Sequence, residues 1–197
     1  MTGNSNQNIR LAGPVLFGHF TLDPMVWQSG GGYRAMSTEK KSERQERLQN
    51  MEQADIDDIA LWFETWDKLV DGVDFVPARE LFDDDVIGFG TRMDTVRGLE
   101  YLEVEQWRRV WPTIEGFRFD TDTLECLISP DRLQGVGIVV WHSTGFGEDM
   151  TSFQRNGRAT VVFRRKTPAE SWKGVHTHIS LNPGTPQRSH GDRRAKS

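Results

Sequence analysis

The chain of 197 residues has a single cysteine, Cys126. An intrachain disulfide is therefore excluded, and a reducing, cytoplasmic setting fits. No apolar run approaches the ~18 residues of a membrane-spanning helix. Positive charge is not in excess: 24 Lys and Arg stand against 29 Asp and Glu, a net −5, which gives no general electrostatic basis for binding nucleic acid. Internal repeats are absent. What remains is 36% apolar and 27% charged, the balance of one soluble globular domain with polar ends.

Leu11–Gly18 is a short apolar run after one arginine, but Pro14 interrupts it and His19 and Asp23 follow closely, so it does not read as a secretory signal. Gly30–Gly32 and the polar stretch Met36–Lys41 read as linker. Residues 1–35 are expected to be disordered or an over-extended start, with Met36 the natural initiator. The expected organisation is a linker-like extension over residues 1–42, one domain over 43–184, and a basic disordered tail over 185–197 carrying Arg188, Arg193, Arg194 and Lys196.

Within the domain, Ile56, Ile59, Ala60 and Phe63 recur at helical spacing, widened by Trp62, Trp66 and Leu69. They predict a helix from about Glu43 to Val70, stopped by Asp71-Gly72. A short helix is expected from Phe75 to Phe82, with Pro77 near its start. Val86–Gly90 reads as a buried strand, and Asp94–Gly98 as a short strand or turn. A third helix is expected from Leu99 to Trp111, with Val104, Trp107 and Trp111 on one face and Pro112 ending it. Long strands follow: Phe117–Ile128, Leu133–Phe146, Arg158–Arg165 and Trp172–Leu181. Helices first and consecutive strands later predict an α+β fold, about three N-terminal helices packed on a strongly curved, mainly antiparallel sheet.

Three segments carry a resemblance. Phe82–Gly90 through Arg97-Gly98 resembles the first strand of the nuclear transport factor 2-like (NTF2-like) superfamily and its turn into the third helix. Arg155–Arg165 is similar to that superfamily's penultimate strand. Trp172–Ser180 resembles its closing strand, and the association (hub) domain of calcium/calmodulin-dependent kinase II carries a near-identical Trp-x-x-Val-His-x-His-x-Ser pattern. The match spans roughly residues 45–183 and favours SnoaL-like members, related to ketosteroid isomerase. It implies a cone with an open mouth, no cofactor, and a homodimer or higher oligomer. It does not imply one reaction, because the fold hosts isomerases, cyclases, dehydratases, transport factors and assembly modules.

Ketosteroid-isomerase chemistry needs a carboxylate base near the end of the first strand and a tyrosine on the first helix. This chain has Phe89 at the first position, and Trp62, Phe63 and Trp66 on the helix, so that chemistry is not expected. His176 and His178, two apart on a strand, share one face. They read as structural polar groups, as ligand-contacting or proton-transfer groups, or as a metal pair lacking a third ligand, and no metal is expected. Asp94, beside the expected cavity mouth, joins them as a catalytic candidate. Trp107, Trp111, Trp141, His142, Phe89 and Thr160 are the candidate ligand contacts, a flat aromatic wall for a small apolar or aromatic molecule. Each tryptophan can equally be core. Arg155, Arg158 and Arg164 read as edge or surface ion pairs. The hub domain's pocket is lined by arginines, but Thr160 and Ile179 stand at two of those positions here. Two functions remain open: a small-molecule pocket, with cofactor-free proton transfer if it is an enzyme, and a non-catalytic oligomerisation or binding module.

Overall fold

A computed structural model describes residues 38–194; the readings placed on residues 1–37 and on Lys196 lie outside them. Helix α1 (Thr38–Asp71) starts before the expected Glu43 and takes in part of the stretch read as linker. Its side chains from Lys40 to Ala54 are exposed. Burial begins at Asp55 and continues through Ile59, Trp62, Phe63, Trp66 and Val70, one stripe at helical spacing. The helix ends where Asp71-Gly72 predicted, yet the left-handed residue is Val73 (φ 52) rather than the glycine. That conformation is unfavourable for a β-branched residue. It is held by burial of Val73 and by Asp74 N–H donating to the Leu69 carbonyl at 2.9 Å.

After α2 (Phe75–Arg79) come β1 (Phe82–Phe89) and β2 (Thr95–Arg97). The expected third helix is a composite: α3 (Leu99–Leu102), a π turn (Glu103–Trp107), α4 (Arg108–Val110) and a 3-10 turn (Trp111–Thr113). The wider π turn shifts the helical phase. Val104, expected on the face of Trp107 and Trp111, is 43% exposed, while Glu103, Gln106 and Trp107 turn inward.

The remaining strands are β3 (Glu115–Ile128), β4 (Gln134–Phe146), β5 (Ser152–Gln154), β6 (Gly157–Arg164) and β7 (Lys173–Leu181). β5, too short for a periodic signal, was not expected. The sheet order is β2-β1-β7-β6-β4-β3, with β5 paired to β4. Every pairing is antiparallel except β1 with β7, which run parallel. The result is the expected α+β cone, an open mixed sheet with helices against its inner face.

Edge-to-face aromatics fill the interior, with Trp62 on Phe163 and Phe63 on Phe119, each at 4.9 Å. Asp55 ties α1 to the sheet: Arg132 donates to it through Nε and Nη2 at 2.6 and 2.8 Å, and Arg165 through Nη2 at 2.6 Å. The Arg165 guanidinium lies 3.9 Å from the centre of the Trp172 ring.

The tail expected to be disordered from residue 185 is docked as far as Arg193. His190 N–H donates to the Phe146 carbonyl at 2.9 Å, and Arg193 N–H to the Pro112 carbonyl at 2.8 Å. Ser189 Oγ accepts from Phe146 N–H at 2.9 Å and donates to the Thr113 carbonyl. Arg193 Nη2 reaches the Trp111 carbonyl at 3.0 Å. The segment therefore crosses the end of β4 and the 3-10 turn.

Candidate functional site

Strand alternation decides which side chains face the inside of the cone. On β7, Thr177 is buried and Ile179 half-buried, and both line an inner cavity; the intervening His178 points the other way. The outer face carries two cross-strand rows. One runs Val136–Val162–His176–Ile87, the other Ile138–Thr160–His178–Phe89. His176, His178 and Thr160 are thus on the outer face, which corrects the expectation that they contact a ligand between the tryptophans. His142 is also outside, its Nε2 at 3.8 Å from Asp120 Oδ2. His176 Nδ1 donates to the Ile87 carbonyl at 2.9 Å, and the Phe89 ring packs edge-on against both histidines at 5.1 and 5.6 Å. Among the described residues, no three His, Cys, Asp or Glu side chains are grouped closely enough to hold a metal ion.

Asp94 is exposed and shares a surface groove of ≈ 470 Å³ with Phe89 and His178. Of the three catalytic candidates, these two are brought together, but in a groove apart from the tryptophans. Trp107 and Trp111 are core: they stack on each other at 4.8 Å, and Trp111 stacks on Phe75 at 5.3 Å. Their aromatic faces are covered by neighbours, and only parts of them reach the cavity.

The inner cavity measures ≈ 40 Å³ and lies among α1, the 99–113 helical segment and the inner faces of β3, β4 and β7. That volume holds one to a few water molecules, not a preformed aromatic slot. Its lining includes no carboxylate and no imidazole. Four polar atoms on lining residues are buried without a hydrogen-bond partner: Trp66 Nε1, Trp141 Nε1, Gln106 Oε1 and Arg155 Nε. Buried polar groups are normally paired, and these four sit on residues that share one small cavity.

Arg155 departs furthest from its sequence reading. Arg164 does make surface ion pairs, with Asp83 at 3.3 Å and Asp85 at 3.8 Å, and Arg158 Nε donates to Ser180 Oγ at 3.3 Å. Arg155, between β5 and β6, is instead 2% exposed. Its Nη2 donates to Thr91 Oγ1 at 3.0 Å, and its guanidinium sits 5.6 Å from the Trp141 ring centre. Among the described residues no carboxylate compensates it, and burial pulls its pKa down to about 10. Gln106 Nε2 approaches the same Thr91 hydroxyl at 3.4 Å. Sequence reasoning missed Gln106, Thr91 and Trp66. The π turn that swings Gln106 inward has no periodic signature, and an arginine beside Asn-Gly in a turn reads as exposed.

No known family model matches the chain, and no curated protein does. Solved structures do match in shape. An NTF2-like superfamily protein from Salmonella enterica is 18% identical over 68% of this chain and 95% of its own, with a TM-score of 0.55. A candidate dehydratase of the NTF2-like family from Streptomyces avermitilis is 16% identical over 67% and 99%, TM-score 0.54. A candidate calcium/calmodulin-dependent protein kinase II association domain from Xanthomonas campestris is 16% identical over 64% and 86%, TM-score 0.53. The chain has the NTF2-like fold.

Proposed function

We propose that this NTF2-like chain is a small-molecule binding protein whose ligand enters at the polar-edged cavity on the inner face of the cone and widens it, since the closed cavity of ≈ 40 Å³ holds only water. The carrying observation is the set of unpartnered buried atoms around that cavity, Arg155 Nε, Gln106 Oε1 and the indole N–H groups of Trp66 and Trp141. A purely structural core gains nothing from leaving four polar groups unpaired, since each costs about 1–3 kcal/mol. Binding is favoured over proton transfer, because no acid–base group lines the space. A catalytic version of the reading takes its base from the neighbouring groove, where Asp94 and His178 border Phe89. Cys126, half-buried and with its thiol pushed up to about 11 by burial, suits a protein kept in the reducing cytoplasm.

The test is a titration with phenol or indole followed by the indole N–H resonances of the seven tryptophans. Trp66 and Trp141 should shift and saturate at millimolar ligand while the Trp172 signal stays put. If neither moves, the cavity is not a ligand site.

A second reading rests on the outer face. Ile138 and Val140 are 43% and 36% exposed there, with Val136 and Val162 alongside, a hydrophobic surface of the kind that a second subunit covers. It supports a homodimer or a larger assembly and is compatible with the pocket. Sedimentation of Ile138→Lys should show a monomer where the parent chain is larger; a parent that already sediments as a monomer removes this reading.

A further inference from the structure

Arg155 and Val110 also line a second pocket, of ≈ 190 Å³, between the 3-10 turn and the docked C-terminal segment. Arg92, Arg109 and Arg188 complete its charged wall, and no carboxylate lines it, in a chain whose net charge is −5. Arg109 is already paired, with Glu105 at 2.8 Å. Among the described residues, Arg92, Arg155 and Arg188 make no ion pair within 4.0 Å. Three arginines thus line one pocket without a counter-ion among the described residues, and one of them is buried. Elsewhere the protein handles the same problem by pairing: Arg165, equally buried, has Asp55.

We propose that this pocket binds the carboxylate of a small organic acid. Arg155 is its buried partner. Arg188 closes on it from the C-terminal segment and Arg92 from the loop after β1, while the acid's apolar body lies against Val110 and points toward the aromatic cavity. The inference rests on the small-molecule reading and gives that ligand its charge. A guanidinium presents its Nε and Nη2 hydrogens along one edge, which matches the two oxygens of a carboxylate. Arg132 uses that edge to hold Asp55 in this same molecule. On Arg155 the Nε hydrogen is unused and Nη2 is held only by the Thr91 hydroxyl, which an incoming carboxylate displaces. The apolar neighbours favour a monoanion, since the charge left over on a dianion would be poorly solvated there. Part of the site comes from residues 187–189, so the docked tail belongs to the binding wall.

Calorimetric titration of the full chain with benzoate, benzamide and inorganic phosphate tests this. Benzoate should bind saturably and at least tenfold more tightly than benzamide, its neutral isostere, and phosphate should not displace it. Arg155→Met should weaken benzoate at least tenfold and leave benzamide unchanged. Arg188→Gln, at an exposed position where folding is not at stake, should weaken benzoate about threefold. Equal binding of benzoate and benzamide overturns the acid and leaves the small-molecule reading standing. Displacement of benzoate by equimolar phosphate also overturns it, in favour of a simple anion hole. If neither aromatic binds while phenol or indole still moves the Trp66 and Trp141 signals, only the acid falls; if those signals are also silent, both readings fall.

Discussion

Replacing Arg155 with methionine should leave the protein at least as stable, although it removes a buried, hydrogen-bonded side chain. Burial lowers the Arg155 pKa from the ordinary arginine range to about 10. At 1.36 kcal/mol per pH unit, the charged side chain therefore destabilises the fold by about 3 kcal/mol. The sign follows from linkage. A cation with a depressed folded-state pKa carries its full penalty at every pH below about 10, and relief comes only as pH rises from there toward the ordinary arginine value. Across pH 6–8 the effect should be flat. Two contacts oppose the gain: the charge-assisted hydrogen bond to Thr91, about 1.5–3 kcal/mol, and the stacking near Trp141, about 0.5–1 kcal/mol. Methionine fills much of the vacated volume with no charge. The net expectation is about 0 to +1 kcal/mol, a Tm unchanged or raised by up to roughly 2–4 °C for a domain of this size. Thermal and urea unfolding, each followed by near-UV circular dichroism at pH 6, 7 and 8, give the measurement. A Tm lowered by 3 °C or more would show that Arg155 is compensated in a way the geometry does not contain. The same variant should lose benzoate binding, so ligand affinity falls without a loss of stability.

Asp55→Asn leaves Arg132 and the buried Arg165 facing a neutral amide and should lower unfolding free energy in urea by about 3 kcal/mol or more. Burial raises the Asp55 pKa, but the hydrogen bonds from Arg132 and Arg165 outweigh it and hold the carboxyl below its usual range. Its stabilisation is therefore present above about pH 4 and fades as pH falls through the folded-state value, and the variant should lack that limb of the acid unfolding curve. Asp67 is the opposite case: burial lifts its pKa despite a hydrogen bond from Phe119 N–H. Asp67→Asn should stabilise the protein at pH 7, and the gain should vanish toward pH 3; a variant less stable at pH 7 refutes the reasoning. Gly157→Ala would place a methyl group 2.0 Å from the Ser180 carbonyl oxygen and 2.5 Å from Trp141, which should cost about 3 kcal/mol and disturb the cavity wall. A Tm within 1 °C of the parent would show that this corner of the sheet can shift.

The periodic parts of the molecule were legible in the sequence. The α1 stripe through Ile59, Trp62, Phe63 and Trp66 is buried as its spacing required, and β3, β4, β6 and β7 fall within a residue or two of their expected bounds. Alternation also put His176 and His178 on one side, but period two alone does not say which side is inner. That depends on what packs below: the Thr177 hydroxyl and the Leu102 side chain both crowd the space beside Gly88, and Thr177 is buried, which leaves the histidines outside. The candidate site was less legible because its members are aperiodic. Gln106 is buried by a π turn, Arg155 by the loop that carries it, and the tail by backbone hydrogen bonds together with Ser189 and Arg193. None of these leaves a hydrophobic pattern behind.

The parallel pairing of β1 with β7 sets an order on the birth of this fold. Ile87 and His176 are neighbours in the sheet but 89 positions apart in the chain. β7 lies between β1 and β6, so the strand made last is the one that joins the two halves. On the ribosome, the β1–β2 hairpin and the β3–β4–β6 meander must wait as separate pieces, each with an unpaired edge, until Leu181 has emerged. Such long-range closure is slow, and the waiting edges invite pairing with other nascent chains. A nascent chain stalled before Lys173 would therefore be a sticky intermediate, and completing one nine-residue strand would join its two pieces into one continuous open sheet.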